Sequence, residues 1–163
     1  MKPEQTAVPD DLEATVVLSP LLERDIQAIA RWYDKATMLA GSPISLSDLL
    51  DSTHDRRILV LTDGVNEAPF GLIALTLDDP ELDWATVDLL AIGRQEDRDM
   101  ARWGVALLET HLRGEASHIR VAVPADVGLP VRQAGLTLYF WLRLGYRPTA
   151  SHEGLWMIRD LDA

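Results

Sequence analysis

The sequence predicts an α/β domain. It is a layered mixed sheet in which an antiparallel meander leads into parallel strands that splay, flanked by about four helices. Three observations carry this. A length of 163 residues suits one domain with a single core. Three strand-like runs follow one another mid-chain with short turns between them, as in a meander. Strand–helix–strand units come next, and these need crossovers that leave neighbouring strands parallel.

The elements follow in order. Residues 1–13, "MKPEQTAVPDDLE", are acidic, proline-bearing and poor in apolar side chains, and read as a flexible arm before a single domain over 14–163. "ATVVL" (14–18) is a short strand. "SPLLERDIQAIARWYDKA" reads as a helix with Ser19 as N-cap and Pro20 at its first position. Leu22, Ile26, Ile29 and Tyr33 recur in it at helical spacing. "SPISLSDLLDS" is a second helix, capped by Ser45 or Ser47. "RRILVLTDG" is a strand turning at Asp63-Gly64, and "APFGLIALTLDD" and "DWATVDLLAIG" are two more. "DMARWGVALLETHLRG" has helical spacing through Met100, Gly104, Leu107, Leu108 and Leu112, and Gly114 closes it in a left-handed conformation. "SHIRVAVPAD" alternates Ile119, Val121 and Val123 on one face. "LPVRQAGLTLYFWLRLG" is a helix between Pro130 and Gly145, and "GLWMIRDL" is the final strand.

Composition excludes several function classes. Cysteine is absent, so there is no disulfide, thiolate nucleophile or acyl-enzyme on sulfur. Histidines 54, 111, 118 and 152 lack metal-motif spacing, so no metal is expected. No Gly-x-Ser-x-Gly elbow supports a hydrolase triad. The formal charge of −11 argues against nucleic-acid and anionic-membrane partners and is compatible with cationic amines. No apolar run reaches the roughly 18 residues of a membrane helix, and the first residues lack a signal-peptide core; a cytoplasmic location is expected.

Four stretches carry a family resemblance. "VDLLAI" (87–92) is similar to the fourth strand of the GCN5-related N-acetyltransferases, and "GVALLETHL" (104–112) to the body of their third helix. "LYFWLRLGYRP" (138–148) resembles the end of the fourth helix, and "LWMIRDL" the last strand. The resemblance spans about residues 14 to 161. It implies acetyl-coenzyme A as cofactor. The peptide-like pantetheine would pair with Leu90, Ala91 and Ile92, where the fourth strand splays from the fifth. The pyrophosphate would meet a helix start over Arg98, Arg102, Trp103, Gly104 and Val105, where backbone N–H groups and the helix dipole favour an anion.

The sequence departs from the family pattern at both ends of that site. Arg102 stands where the phosphate loop has its first glycine, and Asp99 where it has Gln or Arg. Glu96, Asp97 and Asp99 put carboxylates beside the expected phosphate, with Arg94, Arg98 and Arg102 offsetting them. A carboxylate at the helix N-cap would claim the donors that phosphate needs. Trp141 fills the place of the family's tyrosine acid, and an indole N–H is no proton donor in catalysis. Tyr139 lies about 200° round the helix from it, and Ala134 replaces the family's asparagine. Asp88 is the candidate general base, with a water relay because its side chain is short.

The resulting expectation is transfer of acetyl to an amine, on a small molecule or on a protein N-terminus or lysine, by direct attack, with a homodimer possible. The rival is a catalytically impaired pseudoenzyme on the same fold, acting as a binding or dimerisation module.

Overall fold

The computed structural model describes residues 16–41, 44–52, 56–77, 83–123, 131–151 and 154–161. The arm over 1–13, the helix start at Pro130 and the histidines at 54 and 152 lie outside them.

Strand β1 (Val16–Pro20) leads to α1 (Glu23–Tyr33), β2 (Thr37–Ala40) and α2 (Leu46–Asp51). The meander is β3 (Arg57–Asp63), β4 (Ala68–Leu77) and β5 (Trp84–Ile92). A single 3-10 turn at Gln95–Asp97 opens α3 (Arg98–Leu112), followed by β6 (His118–Ala122), α4 (Val131–Arg143), β7 (Arg147–Ser151) and β8 (Gly154–Asp160). Among the described residues these strands form one eight-stranded sheet in the order β1-β3-β4-β5-β6-β8-β7, with β2 paired to β5 off that path.

The meander is antiparallel, and β5 and β6 run parallel, as the intervening helix requires. Their pairing covers only Trp84 to Val87 of β5, where it ends at Val87↔Val121. A register shift against β4 falls at Asp88, between the pairs Ala74↔Leu89 and Leu75↔Val87. This β-bulge turns the strand away from β6 and makes a fork.

One local difference from the sequence reading has a plain cause. Pro20 does not start α1; it ends β1, paired with Leu59. Strand β1 is the edge of the sheet, where a residue without an N–H is tolerated. The start of α1 is held instead by the Asp25 carboxylate, which accepts from the backbone N–H of Leu22 at 3.0 Å. Of the two serines before α2, Ser45 is the cap: its Oγ accepts from the Asp48 N–H at 3.1 Å.

One apolar cluster lies between the sheet and α3 and α4, with Leu61, Leu90, Val105, Leu108 and Trp141 among its members. A second, under α1 and α2, contains Ile29, Tyr33, Leu49, Leu72 and Leu89. The bulge at Asp88 moves β5 from one alternation to the other: Ala85, Val87, Leu90 and Ile92 belong to the first cluster, Leu89 and Ala91 to the second. Gly114 and Gly145 end their helices at φ +95° and +94°, the left-handed region that glycine reaches without strain.

Candidate active site

The start of α3 is built from charge. Asp97 is the N-cap, yet its carboxylate makes no cap hydrogen bond; it takes the guanidinium of Arg94 at 3.3 Å instead. The expected competition between a capping carboxylate and an anion for the first-turn N–H groups is therefore absent at this residue. One turn on, Arg102 Nη1 lies 3.6 Å from the exposed Asp99 carboxylate. The Nε atoms of Arg98 and Arg102 are buried without a hydrogen-bond partner among the described residues. A buried unpaired donor costs about 1–3 kcal/mol, which a ligand oxygen would relieve. Both arginines line a cleft of about 330 Å³ whose far wall is Tyr139, Phe140 and Arg143 of α4. The Arg143 guanidinium lies 5.6 Å from the Tyr139 ring centre.

The sequence-predicted residues after Arg102 turn inward. Trp103 packs on the core and Val105 is 1% exposed, and both lie beyond the first turn of α3, where backbone N–H groups are spent within the helix. Gly104 faces the sheet: a Cβ there would come within 2.6 Å of both δ-carbons of Leu61. Its lack of a side chain lets α3 lie close on β3. The helical spacing put Gly104 in line with Leu107, Leu108 and Leu112, but the partner that demands a glycine there, Leu61, was not visible in sequence.

At the other end, the edge of β5 beyond the bulge is paired. Strand β2 lies antiparallel to it, with Thr37 opposite Ile92, Met38 opposite Ala91 and Ala40 opposite Leu90. Just after β2, the Gly41 N–H donates to the Ala122 carbonyl at the end of β6, at 2.7 Å. Strand β2 thus bridges the fork. The indole N–H of Trp141 donates to the Leu39 carbonyl at 2.7 Å, in the protein interior. Trp141 is 1% exposed and meets Phe140 and Tyr146 edge-on, at ring-centre distances of 5.1 and 5.0 Å. It packs the core and pins β2. Tyr139 points to the cleft instead, 56% exposed.

Asp88 sits at the crotch of the fork. Its Oδ2 accepts from Thr76 Oγ1 at 2.6 Å and lies 3.7 Å from Arg56 Nε. These partners were not predicted. Arg56 stands just before β3, and the pairing of β4 with β5 brings Thr76 alongside, opposite Thr86. Thr86 in turn accepts from Arg120 Nε at 2.7 Å. The Arg120 guanidinium rests 5.9 Å from the Trp84 ring centre and 4.7 Å from that of Trp156. Asp88 therefore stands in a fixed polar strip with one aromatic flank. Among the described residues no three His, Asp or Glu side chains gather as a metal site needs, and no helix is long and apolar enough to cross a membrane.

A buried carboxylate of a different kind lies behind α3. Tyr146 donates its hydroxyl to Glu109 Oε2 at 2.9 Å, and Arg159 Nη1 stands 3.7 Å away. Arg159 also donates to the Leu144 carbonyl. Burial pushes the Glu109 carboxyl above the usual carboxylate range, against the lowering effects of Tyr146, Arg159 and Arg113. The cluster ties α3 to the end of α4 and to β8.

No protein-family model matches the chain, and no curated protein matches it. Solved structures do. An acetyltransferase from Thermus thermophilus superposes with a TM-score of 0.64 at 19% identity, covering 90% of this chain and 97% of its own. A dodecameric spermidine N-acetyltransferase from Vibrio cholerae gives 0.63 at 12%, covering 91% and 95%. A GCN5-related N-acetyltransferase from Kribbella flavida gives 0.59 at 15%, covering 90% and 98%. At such identities the likeness establishes the fold: this chain folds as the GCN5-related N-acetyltransferases do.

Proposed function

We propose that the chain is an N-acetyltransferase that draws on acetyl-coenzyme A and acetylates an amine by direct attack. The observation that carries this reading is the pair of buried Nε atoms of Arg98 and Arg102, without partners among the described residues, beside an open cleft at a helix start. Such an arrangement suits the phosphates of a nucleotide-bearing coenzyme. Bound, that coenzyme would supply the acetyl group as a thioester. Arg98, Arg102 and, across the cleft, Arg143 would hold its phosphates. Asp88 is the group that would take the proton of the incoming ammonium, directly or through water. Thr76 and Arg56 hold its carboxylate in place. No cysteine offers an acyl-enzyme route.

The acceptor class follows from charge and from the fold neighbours. The formal charge of −11 favours cationic amines over anionic acceptors, and one neighbour is a spermidine acetyltransferase. Small polyamines are the first acceptors to assay, then amines at protein N-termini and lysines.

The rival reading, a fold that has lost transfer and serves as a binding or dimerisation module, draws on two observations: β2 covers the edge of β5, and Trp141 offers no acidic proton. One experiment separates them. Acetyl-coenzyme A at about 100 times its dissociation constant should raise stability by about 2.7 kcal/mol in a thermal-shift assay. Thiol release with spermidine should then rise above the rate without enzyme. Binding without thiol release across an amine panel supports the rival; absence of binding sinks the coenzyme reading.

A further inference from the structure

We propose that β2 is a displaceable strap, occupying in the resting protein the backbone edge of β5 that the coenzyme's pantetheine would use. This rests on the coenzyme reading above. Three observations meet at the strap. Its register opposite Leu90, Ala91 and Ile92 covers the three residues at which pantetheine is expected to pair. Its end is fastened to β6 by the Gly41 N–H, so it spans both arms of the fork. Its middle is fastened to α4 by the Trp141 indole, from the helix position where the resemblance places a residue near the coenzyme sulfur. A strand edge offers one set of N–H and C=O groups, and two extended chains cannot share it.

The strap is also built to be marginal. Its ladder has only three paired positions and is broken by a bulge between Met38 and Ala40. It seats only because residue 41 is glycine. At φ +78° a Cβ would stand 1.9 Å from the Asp88 carbonyl oxygen. The seat of the strap is therefore the backbone of the candidate base residue itself. Displacement would free the β5 edge and the space above Asp88 together, so that coenzyme binding and access to the base open as one event.

The test uses the full chain and two probes: coenzyme A, and adenosine bisphosphate, which carries phosphates but no pantetheine. In the parent protein, coenzyme A should speed amide exchange over residues 37–41, and adenosine bisphosphate should leave it unchanged. Gly41→Ala, which cannot seat the strap, should bind coenzyme A at least about tenfold more tightly, because the protein no longer has to open first. Its affinity for adenosine bisphosphate should stay within about twofold. Trp141→Phe keeps an aromatic in the core, drops the pin to Leu39, and should shift the same way. It serves as the second variant if Gly41→Ala folds poorly. Coenzyme A bound with residues 37–41 as protected as before overturns the strap, as does equal coenzyme affinity in parent and variants. If neither probe binds to any of the three proteins, the coenzyme reading fails and the strap has nothing to gate.

Discussion

The start of α3 and the fork between β5 and β6 are two ends of one candidate site, built in opposite ways. At α3 the chain leaves polar groups unsatisfied. Two guanidinium Nε atoms are buried without partners among the described residues, the N-cap carboxylate does not cap, and a cleft stands open beside them. At the fork the groups are satisfied: β5 pairs with β2, Gly41 with Ala122, the Trp141 indole with Leu39, and Thr76 with Asp88. The first end has donors to spare, beside the carboxylates of Glu96 and Asp99 that line the same cleft. The second is organised for itself. A ligand that reaches both ends meets a favourable anchor and then a barrier. That barrier has a rough size. Burying a leucine contributes about 1.5–3 kcal/mol, and Leu39 is fully buried. A hydrogen bond adds about 0.5–1.5 kcal/mol. A sum of a few kcal/mol leaves an open state on the order of 0.1–10% populated. On the strap proposal, the closed fork alone would weaken coenzyme binding by about one to three orders of magnitude.

The comparison breaks most visibly at the base. Asp88→Asn should lower the rate of acetyl transfer by roughly 10²- to 10⁴-fold at neutral pH, the usual worth of general-base help. Coenzyme affinity should hardly move. A pre-steady-state assay that shows the parent rate removes Asp88 from the mechanism. Next comes the anchor. Replacing Arg98 and Arg102 together by Ala should weaken coenzyme A and adenosine bisphosphate alike by at least about 100-fold, since hydrogen bonds to charged groups contribute about 1.5–3 kcal/mol each. A loss confined to coenzyme A would mean that these arginines do not read phosphate. Smaller still is Gly104→Ala. Its Cβ would crowd Leu61 in the core, so stability should drop by about 1–3 kcal/mol, visible in the melting temperature. Affinity for adenosine bisphosphate should survive; its abolition would restore the phosphate-approach role of that glycine.

The smallest effect lies away from both ends, at Glu109. Burial raises its carboxyl pKa in the folded chain, so the folded state holds this proton to higher pH than the unfolded chain does. The stability linked to that proton is complete below the unfolded value, about 4.3. It is lost as pH rises through the folded value. Glu109→Gln removes that dependence. Its melting temperature relative to the parent should climb between about pH 4 and pH 7. A difference that stays flat over the same range rejects the assignment.

Much of the fold was legible because its signals are local. Gly114 and Gly145 stop helices where the chain needs positive φ, Ser45 caps α2, continuous apolar runs mark β3 to β5, and apolar alternation marks β6. What was missed depends on distant partners. "TMLA" has no strand pattern of its own and no stop signal between it and α1; it is a strand because the β5 edge accepts it. "RPTAS" became β7 by pairing with β8, although a proline and polar residues argue against a strand. The site was legible to the same degree. Arg98, Arg102 and Asp88 were candidates from the family resemblance; the structure puts the two arginines on one cleft and Asp88 at the fork. The clamp of Thr76 and Arg56 on Asp88, the bond from Trp141 to Leu39 and the fit of Gly104 to Leu61 were not, since each joins elements far apart in the chain.

The bridging position of β2 also sets a timetable for folding. Thr37–Ala40 is made before its partners, which are β5, the end of β6 and α4. All three are made later. Until then Met38 and Leu39 have no core to enter. Pairings between sequence-distant segments form late because loop closure must come first. On the strap proposal, the three-position ladder of β2 opens at a free energy below that of global unfolding. A nascent or briefly opened chain thus shows one short apolar stretch to the cell, and chaperones or proteases should meet this protein there first.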